Sequence, residues 1–312
     1  MNTTRYLSKD VFVLDVASVC NGIVHFLADT TVALRRQGIL VPISGGLDSS
    51  TIAALAVKAV GSANVIGLML PERQGNPDAE RFAGQIARKL GIRVKKIDIS
   101  SILARTGTYD FLLSRIPTKA LRDKVVKAYW RAAGSNPFLD AVRGSRNGMH
   151  RRGYSVMNSK NRVRLVVTYR VAEEINYLVA GAAHKSEDLL GLFVKFGIDD
   201  AADIMPLKNL YRSQILQLAK YLGVPDEIIC RTPNPDIIAG ISDKYFDVLG
   251  IHAETMDLIL YGLIEARMEC AQIAEQLQIP MEKVQEIQEL IRLTEHMRQH
   301  SMAPVIAPQS AT

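Results

Sequence analysis

Cysteine is scarce in this 312-residue chain: Cys20, Cys230 and Cys270 are odd in number and form no CxxC pair. That argues against a disulfide framework and against a thiolate zinc site. Long apolar runs are missing too. The richest, Thr51–Val60, is broken by Lys58 and falls well short of the ~20 apolar residues of a membrane span. The opening MNTTRYLSKD lacks the basic-then-apolar order of a secretory signal. A soluble, cytoplasmic protein with no membrane partner is expected. What is present is ordinary globular usage, 48% apolar and 22% charged, which excludes wholesale disorder.

Acidic residues are nearly absent from one segment. Residues 111–170 carry 14 Lys/Arg against Asp123 and Asp140, a local charge of +12 in a protein whose net charge is +6. Clustered charge of this kind points to an anionic partner or an exposed segment, and otherwise to a solvated helical face.

Helical spacing over Val11–Arg36 is followed by apolar strands at Gly38–Ile43, Asn64–Leu70 and Val94–Ile99. Helices at Thr51–Val60 and Asp78–Leu90 separate the strands. This alternation predicts an α/β fold, a doubly wound parallel sheet covered on both faces. The rhythm then breaks. Residues 104–157 read as a basic insertion or lid, helical over Thr118–Ala133 and irregular through GSRNGMHRRG at 144–153. A helix near Arg162–Tyr177, a strand at Tyr177–Ala180 and a helix at Leu207–Leu222 resume the pattern. Two tail helices, Glu254–Gln276 and Pro280–Gln299, precede a Pro/Ala/Ser-rich end. Residues 1–312 are expected to form one domain.

Chemistry concentrates in Ser44-Gly45-Gly46-Leu47-Asp48-Ser49-Ser50, between the first strand and its helix. Two glycines let the backbone approach a ligand and take positive φ. Backbone N–H groups and the helix N-terminus then make an anion site, to which Ser44, Ser49 and Ser50 add hydroxyls. Asp48 would repel a bare phosphate, so it points to Mg²⁺ bridging carboxylate and phosphate oxygens. The GK[ST] ending of a Walker loop is missing. The plain alternative is a strand–helix turn with Ser/Asp capping.

The SGGxDS sequence after a first strand resembles the AMP-forming, pyrophosphate-releasing ATPase superfamily. Further blocks follow: Asn158-Ser159-Lys160-Asn161-Arg162-Val163-Arg164, Gly181–Glu187, Gly191–Gly197, Asp203–Leu207 and Leu210–Gln214. Their order resembles the ammonia-dependent NAD synthetases. The resemblance implies an adenine nucleotide alpha-hydrolase-like sheet, with ATP as co-substrate and deamido-NAD and ammonia as the other substrates. It implies Mg²⁺ on Asp48 and Glu187, and an ATP site of Ser44, Gly45, Gly46, Asp48, Ser49, Ser50, Arg212 and Asn234. Substrate would be held by Arg162, Lys195, Asp203 and His296, with Lys195 also counted as catalytic beside Asp48 and Glu187. A homodimer is implied as well. The chain leaves no room for a glutaminase domain beside this fold, so ammonia is expected free or from a separate glutaminase.

Several positions depart from the family pattern. Ala182 stands where Thr is common, Asn234-Pro235-Asp236-Ile237 replaces a hydroxyl-bearing loop, and Met297 replaces a lysine after the tail histidine. The turn Gly197–Ala201 is one residue longer than usual. Amidation of deamido-NAD is the expected activity. A paralogous AMP-forming amide ligase acting on a different carboxylate is the alternative. A non-catalytic nucleotide-binding protein or a tRNA-modifying relative ranks below both. The paired cysteines common in thiolating relatives are missing, and Tyr129, Trp130 and Tyr154 in the basic stretch are thin support for single-strand stacking, so no nucleic-acid partner is expected.

Overall fold

The computed structural model describes residues 6–299, except 112, 113, 115, 117, 134–136 and 235–239. Four strands, β1 Gly38–Pro42, β2 Val65–Met69, β3 Arg93–Lys96 and β4 Tyr177–Val179, form a parallel sheet in the order β3-β2-β1-β4. β1 is central, with Ile39 opposite Val65 on β2 and Leu178 on β4. Successive strand side chains point to opposite faces: Ile39 and Val41 join one apolar cluster and Leu40 another. Burial on both faces is why β1 reads as an unbroken apolar run.

The first half of the chain contributes helices α1 Val16–Ala33, α2 Leu47–Val60, α3 Pro77–Leu90, α4 Ser100–Arg105, α5 Lys119–Ala133, α6 Pro137–Val142 and α7 Gly148–Glu174. The second half contributes α8 Lys185–Leu190, α9 Arg212–Tyr221, α10 Asp226–Ile229, α11 Phe246–Leu249 and α12 Ala253–Ile264. The tail adds α13 Cys270–Leu277, α14 Met281–Leu293 and α15 Glu295–Arg298. One face of the sheet packs on α1, α2, α3 and α9 through Leu27, Leu55, Ile86 and Leu218. The other packs on α4 and α7 through Leu103 and Val171. A third cluster, with Leu190, Leu249, Ile259, Ile273 and Ile287, gathers the C-terminal helices around Phe12. The sheet is doubly wound, as its sequence pattern predicts.

Some boundaries differ from expectation. GSRNGMHRRG is irregular only over 144–147: α7 begins at Gly148, where Asn147 caps it by accepting from Met149 N and His150 N. The tail helix expected over Glu254–Gln276 breaks between α12 and α13, where Arg267 takes a positive φ of 52°. The basic segment does contain the expected helix, as α5. Among the described residues Lys9–Ala33 is long and apolar enough, by length and composition alone, to cross a bilayer, which the sequence reading did not single out. In this fold its Cys20 and Leu27 pack into the cluster shared with α2. The Pro/Ala/Ser-rich end, 301–312, lies outside the described residues.

The chain runs from β1 outward to β2 and β3, then crosses back to place β4 on the other side of β1. Loops leaving β1 and β4 therefore diverge at their carboxyl ends, and ligands of open α/β sheets bind in that crevice.

Candidate active site

A cavity of about 860 Å³ opens at this switch point. One wall is the turn after β1. Gly45 has φ +70°, and a Cβ there would lie 2.6 Å from Ala79 O on α3, so only glycine lets the turn sit this close to the neighbouring helix. Gly46 caps α2 without a side-chain bond, which leaves the anion-attracting end of the helix to the cavity. Ser44 N donates to Ser49 Oγ at 3.3 Å, and the two hydroxyls lie 3.1 Å apart. Ser50 Oγ is buried without a hydrogen-bond partner. Arg231 ties the turn down from α10's end: its Nη1 donates to Gly45 O at 2.7 Å while the guanidinium stacks on Phe82.

The second wall follows β4. Ala180 bridges to Ile204, and the chain then enters α8, which carries Glu187. Asp257, fully buried, accepts from Ser186 Oγ, Ser213 N and Ser213 Oγ. Ser186 Oγ in turn accepts from Arg212 N. This network fixes α8 against α9 and so sets Glu187 beside Arg212. Burial pushes the Asp257 carboxyl up, and its three donors pull against that.

Asp48 is mostly buried, and its Oδ1 has no hydrogen-bond partner; Arg212 Nη1 stands 3.9 Å away. Burial alone would raise this carboxyl, but His184, Arg212 and Lys244 together hold it below the usual carboxylate range. His184 itself is pushed down to about 3 by burial and is therefore neutral near pH 7, which leaves Arg212 and Lys244 as the cations keeping Asp48 ionised. Lys244 is paired directly with Glu187, and burial lowers its pKa against the pull of Asp48.

The third wall joins the turn after β2 to α5 and α7. Lys160 Nζ donates to Glu72 Oε1 at 2.8 Å, and Tyr109 OH donates to Glu72 Oε2 at 2.7 Å. Burial would raise Glu72, yet Lys160 holds it below its ordinary value. Arg122 from α5 and Arg164 from α7 line the same wall.

The sequence-expected residues divide into two groups. Ser44, Gly46, Asp48, Glu187, Arg212 and Asn234 all line the cavity, as does Ala182, and Gly45, Ser49 and Ser50 build the turn behind it. Residues 235–237 of the expected phosphate-covering loop lie outside the described residues. Arg162, Lys195 and His296 gather elsewhere, in a surface chain: Arg162 donates from Nε and Nη2 to Lys195 O, and Lys195 Nζ donates to His296 O at 2.6 Å. Asp203 joins neither group. Its carboxylate accepts from Val179 N and Tyr169 OH, which pins the end of β4 to α7. Met297 is buried against Thr294 and Gly191, so an apolar side chain there is a packing choice.

Sequence reasoning missed Lys244, Arg231, Arg122 and the Glu72–Lys160 pair. The Asn158–Arg164 block carried Lys160, but nothing local marked its partner 88 positions away. Lys244 and Arg231 reach the site from segments without a glycine-rich or acidic signature.

Parallel sheet, glycine-rich turn, and two carboxylates and their cationic partners in one cavity define an α/β protein with a polar crevice at the switch point. Residues 19–135 and 136–301 match the NAD synthase family, and the chain belongs to that family of carbon–nitrogen ligases. It is 36% identical over 250 residues to the NH(3)-dependent NAD(+) synthetase of Coprothermobacter proteolyticus, covering 78% of this chain and 83% of that one. To the enzyme of the same description from Thermococcus sibiricus it is 34% identical, over 94% and 99% of the two chains. Among solved structures, the fold matches an NMN synthetase from Francisella tularensis (TM-score 0.68, 23% identity, covering 94% of this chain and all of that one). It also matches an NH3-dependent NAD synthetase from Campylobacter jejuni (TM-score 0.66, 21% identity, 95% and 100%).

Proposed function

We propose that this chain amidates the carboxylate of deamido-NAD with ammonia, driven by cleavage of ATP to AMP and pyrophosphate. The observation that carries the reading is the meeting of the Ser44–Ser50 turn, Asp48 and Glu187 in one cavity. A carboxylate oxygen of the acceptor attacks the α-phosphorus of ATP, the α–β anhydride bond breaks and pyrophosphate leaves. Ammonia then attacks the acyl carbon, AMP departs with the carboxylate oxygen, and the nitrogen loses a proton. Such chemistry asks the protein for positioning and charge neutralisation. The turn and the α2 N-terminus would cradle phosphates, Arg212 would neutralise them, and Asn234 would offer an amide.

The donor set fits Mg²⁺. Asp48 Oδ1 is buried and unpartnered, and Glu187 lines the same cavity. Among the described residues no cluster of three or more His, Cys, Asp and Glu side chains surrounds a metal position, which suits an ion that takes one or two carboxylates and completes its shell with phosphate and water. When bound, it would offset negative charge on the phosphates. Lys244 holds Glu187 in place and would have to yield or share that carboxylate.

The surface chain Arg162–Lys195–His296 does not itself line the cavity, but its neighbours Asn161 and Val194 do, so the dinucleotide would extend outward from the cavity along it. A homodimer whose second copy completes this part of the site agrees with that placement, and the exposed apolar side chains Val13, Phe26 and Val32 around α1 offer a surface for it. The second reading, an amide ligase for a different carboxylate, is favoured by Ala182, which lines the cavity where the resemblance expects a hydroxyl. A cytoplasmic setting with free ammonia, or ammonia from a separate glutaminase, completes the proposal.

The test is pyrophosphate release by the purified protein with ATP, Mg²⁺ and ammonium, with and without deamido-NAD. Release that requires deamido-NAD and yields NAD is expected, and Asp48→Asn should lower it by about a hundredfold or more in a protein that still unfolds cooperatively. ATP binding without deamido-NAD-dependent release would move the assignment to another acceptor.

A further inference from the structure

The Arg-rich segment enters the cavity at one point. Helix α5 buries Arg122 and Val126, one turn apart, while Leu121 and Val125 are 49% and 37% exposed. An orientation chosen by the hydrophobic effect alone would bury the leucine in preference to the arginine. Instead the arginine is 7% exposed and lines the cavity. Its neighbour Asp123 anchors the helix by accepting from Gly240 N at 2.8 Å, so the presentation of Arg122 is fixed.

The other cations around it are engaged. Lys160 is matched by Glu72, Arg73 stacks on Tyr109, Arg231 donates to Gly45 O and Arg212 faces Asp48. Arg122 forms no ion pair with a described residue. A buried cation without a counter-charge is costly unless a ligand supplies one, and the planar guanidinium fork matches phosphoryl oxygens. ATP has its own donors on the turn after β1 and on α9.

We infer that Arg122 binds a phosphoryl group of the acceptor dinucleotide, which makes α5 a substrate-binding element of the amidation site. The inference rests on the proposed function. Its test is calorimetric titration of the full-length wild type, Arg122→Gln and Arg122→Lys, separately with deamido-NAD and with ATP–Mg²⁺, alongside melting temperatures. Arg122→Gln should weaken deamido-NAD binding on the order of tenfold, Arg122→Lys should restore part of it, and ATP affinity should stay unchanged in both. Equal affinity for deamido-NAD in all three proteins overturns the assignment. So does weakening confined to ATP, which would place the nucleotide polyphosphate on Arg122, and so does a wild type that does not bind the dinucleotide. Wild-type protein that binds deamido-NAD but makes no NAD would sink the amidation reading alone, because the affinity ratios still judge Arg122.

Discussion

A buried acid–base pair, Glu72 with Lys160, and a buried histidine, His184, flank the cavity. Glu72 is closed off from solvent and answers Lys160 directly. Glu72→Gln leaves the ammonium buried without a counter-charge and should cost about 3–5 kcal/mol, read from denaturant midpoints; a loss below 1 kcal/mol would mean water or another group takes the charge. His184 gives a pH signature. Its folded pKa of about 3 lies below the ordinary imidazole value of about 6.5, so below pH 6.5 the unfolded chain binds more protons than the folded one. Stability should fall as pH drops from about 6.5 toward 3 and gain nothing further from His184 above that window. A non-titrating His184→Gln variant should show a flatter profile between pH 6.5 and 4.5, above the range where Asp48 and Glu72 protonate. The turn residues at this scale were legible because the glycines, the serines and Asp48 all fall in the single short segment Ser44–Ser50. Lys244, Arg231 and Arg122 were not, because only the tertiary fold brings them to the cavity.

Among the elements, α7 shows how a local reading fails. Gly148 and Gly153 each disfavour a helix by roughly 1 kcal/mol relative to alanine, and the arginines around them add no apolar stripe. The helix forms because Asn147 caps it and because Val167 and Val171 pack under the sheet. Since α7 carries Lys160 and Arg164 to the cavity, its start matters for function as well as fold. Asn147→Ala should destabilise the protein by about 1 kcal/mol, lowering the melting temperature by a few degrees, with larger effects in hydrogen exchange over residues 148–157 than over 165–174. Uniform exchange along the helix would show that tertiary packing alone defines its first turns. The sheet was legible by contrast, since its central strand is buried on both faces and flanked by glycine-marked turns. The tail helices misled because the break near Arg267 requires a positive φ at a non-glycine residue, for which sequence offers no signal.

For the whole molecule, the proposed dimer is tested through the exposed apolar side chains of α1. α1 packs Cys20 and Leu27 inward, yet Phe26 is 47% and Val32 77% exposed. Sedimentation equilibrium should find a dimer at micromolar concentration, and Phe26→Glu with Val32→Lys should shift it toward monomer. Fully active monomers of the wild type would remove the second copy from the site. The strand order carries a further consequence, one of timing. β1 and β4 are neighbours in the sheet although about 140 residues separate Gly38 from its partner Tyr177, a long loop to close. A chain growing from its N-terminus has made the phosphate-cradling turn, β2 and β3 long before β4 and Glu187 exist. Until then, Gly38–Pro42 is an edge with unpaired backbone groups, open to strand addition by another molecule. The crevice between those two strands is therefore both the last part of the sheet to close and the place where a half-made chain is most exposed to misassembly.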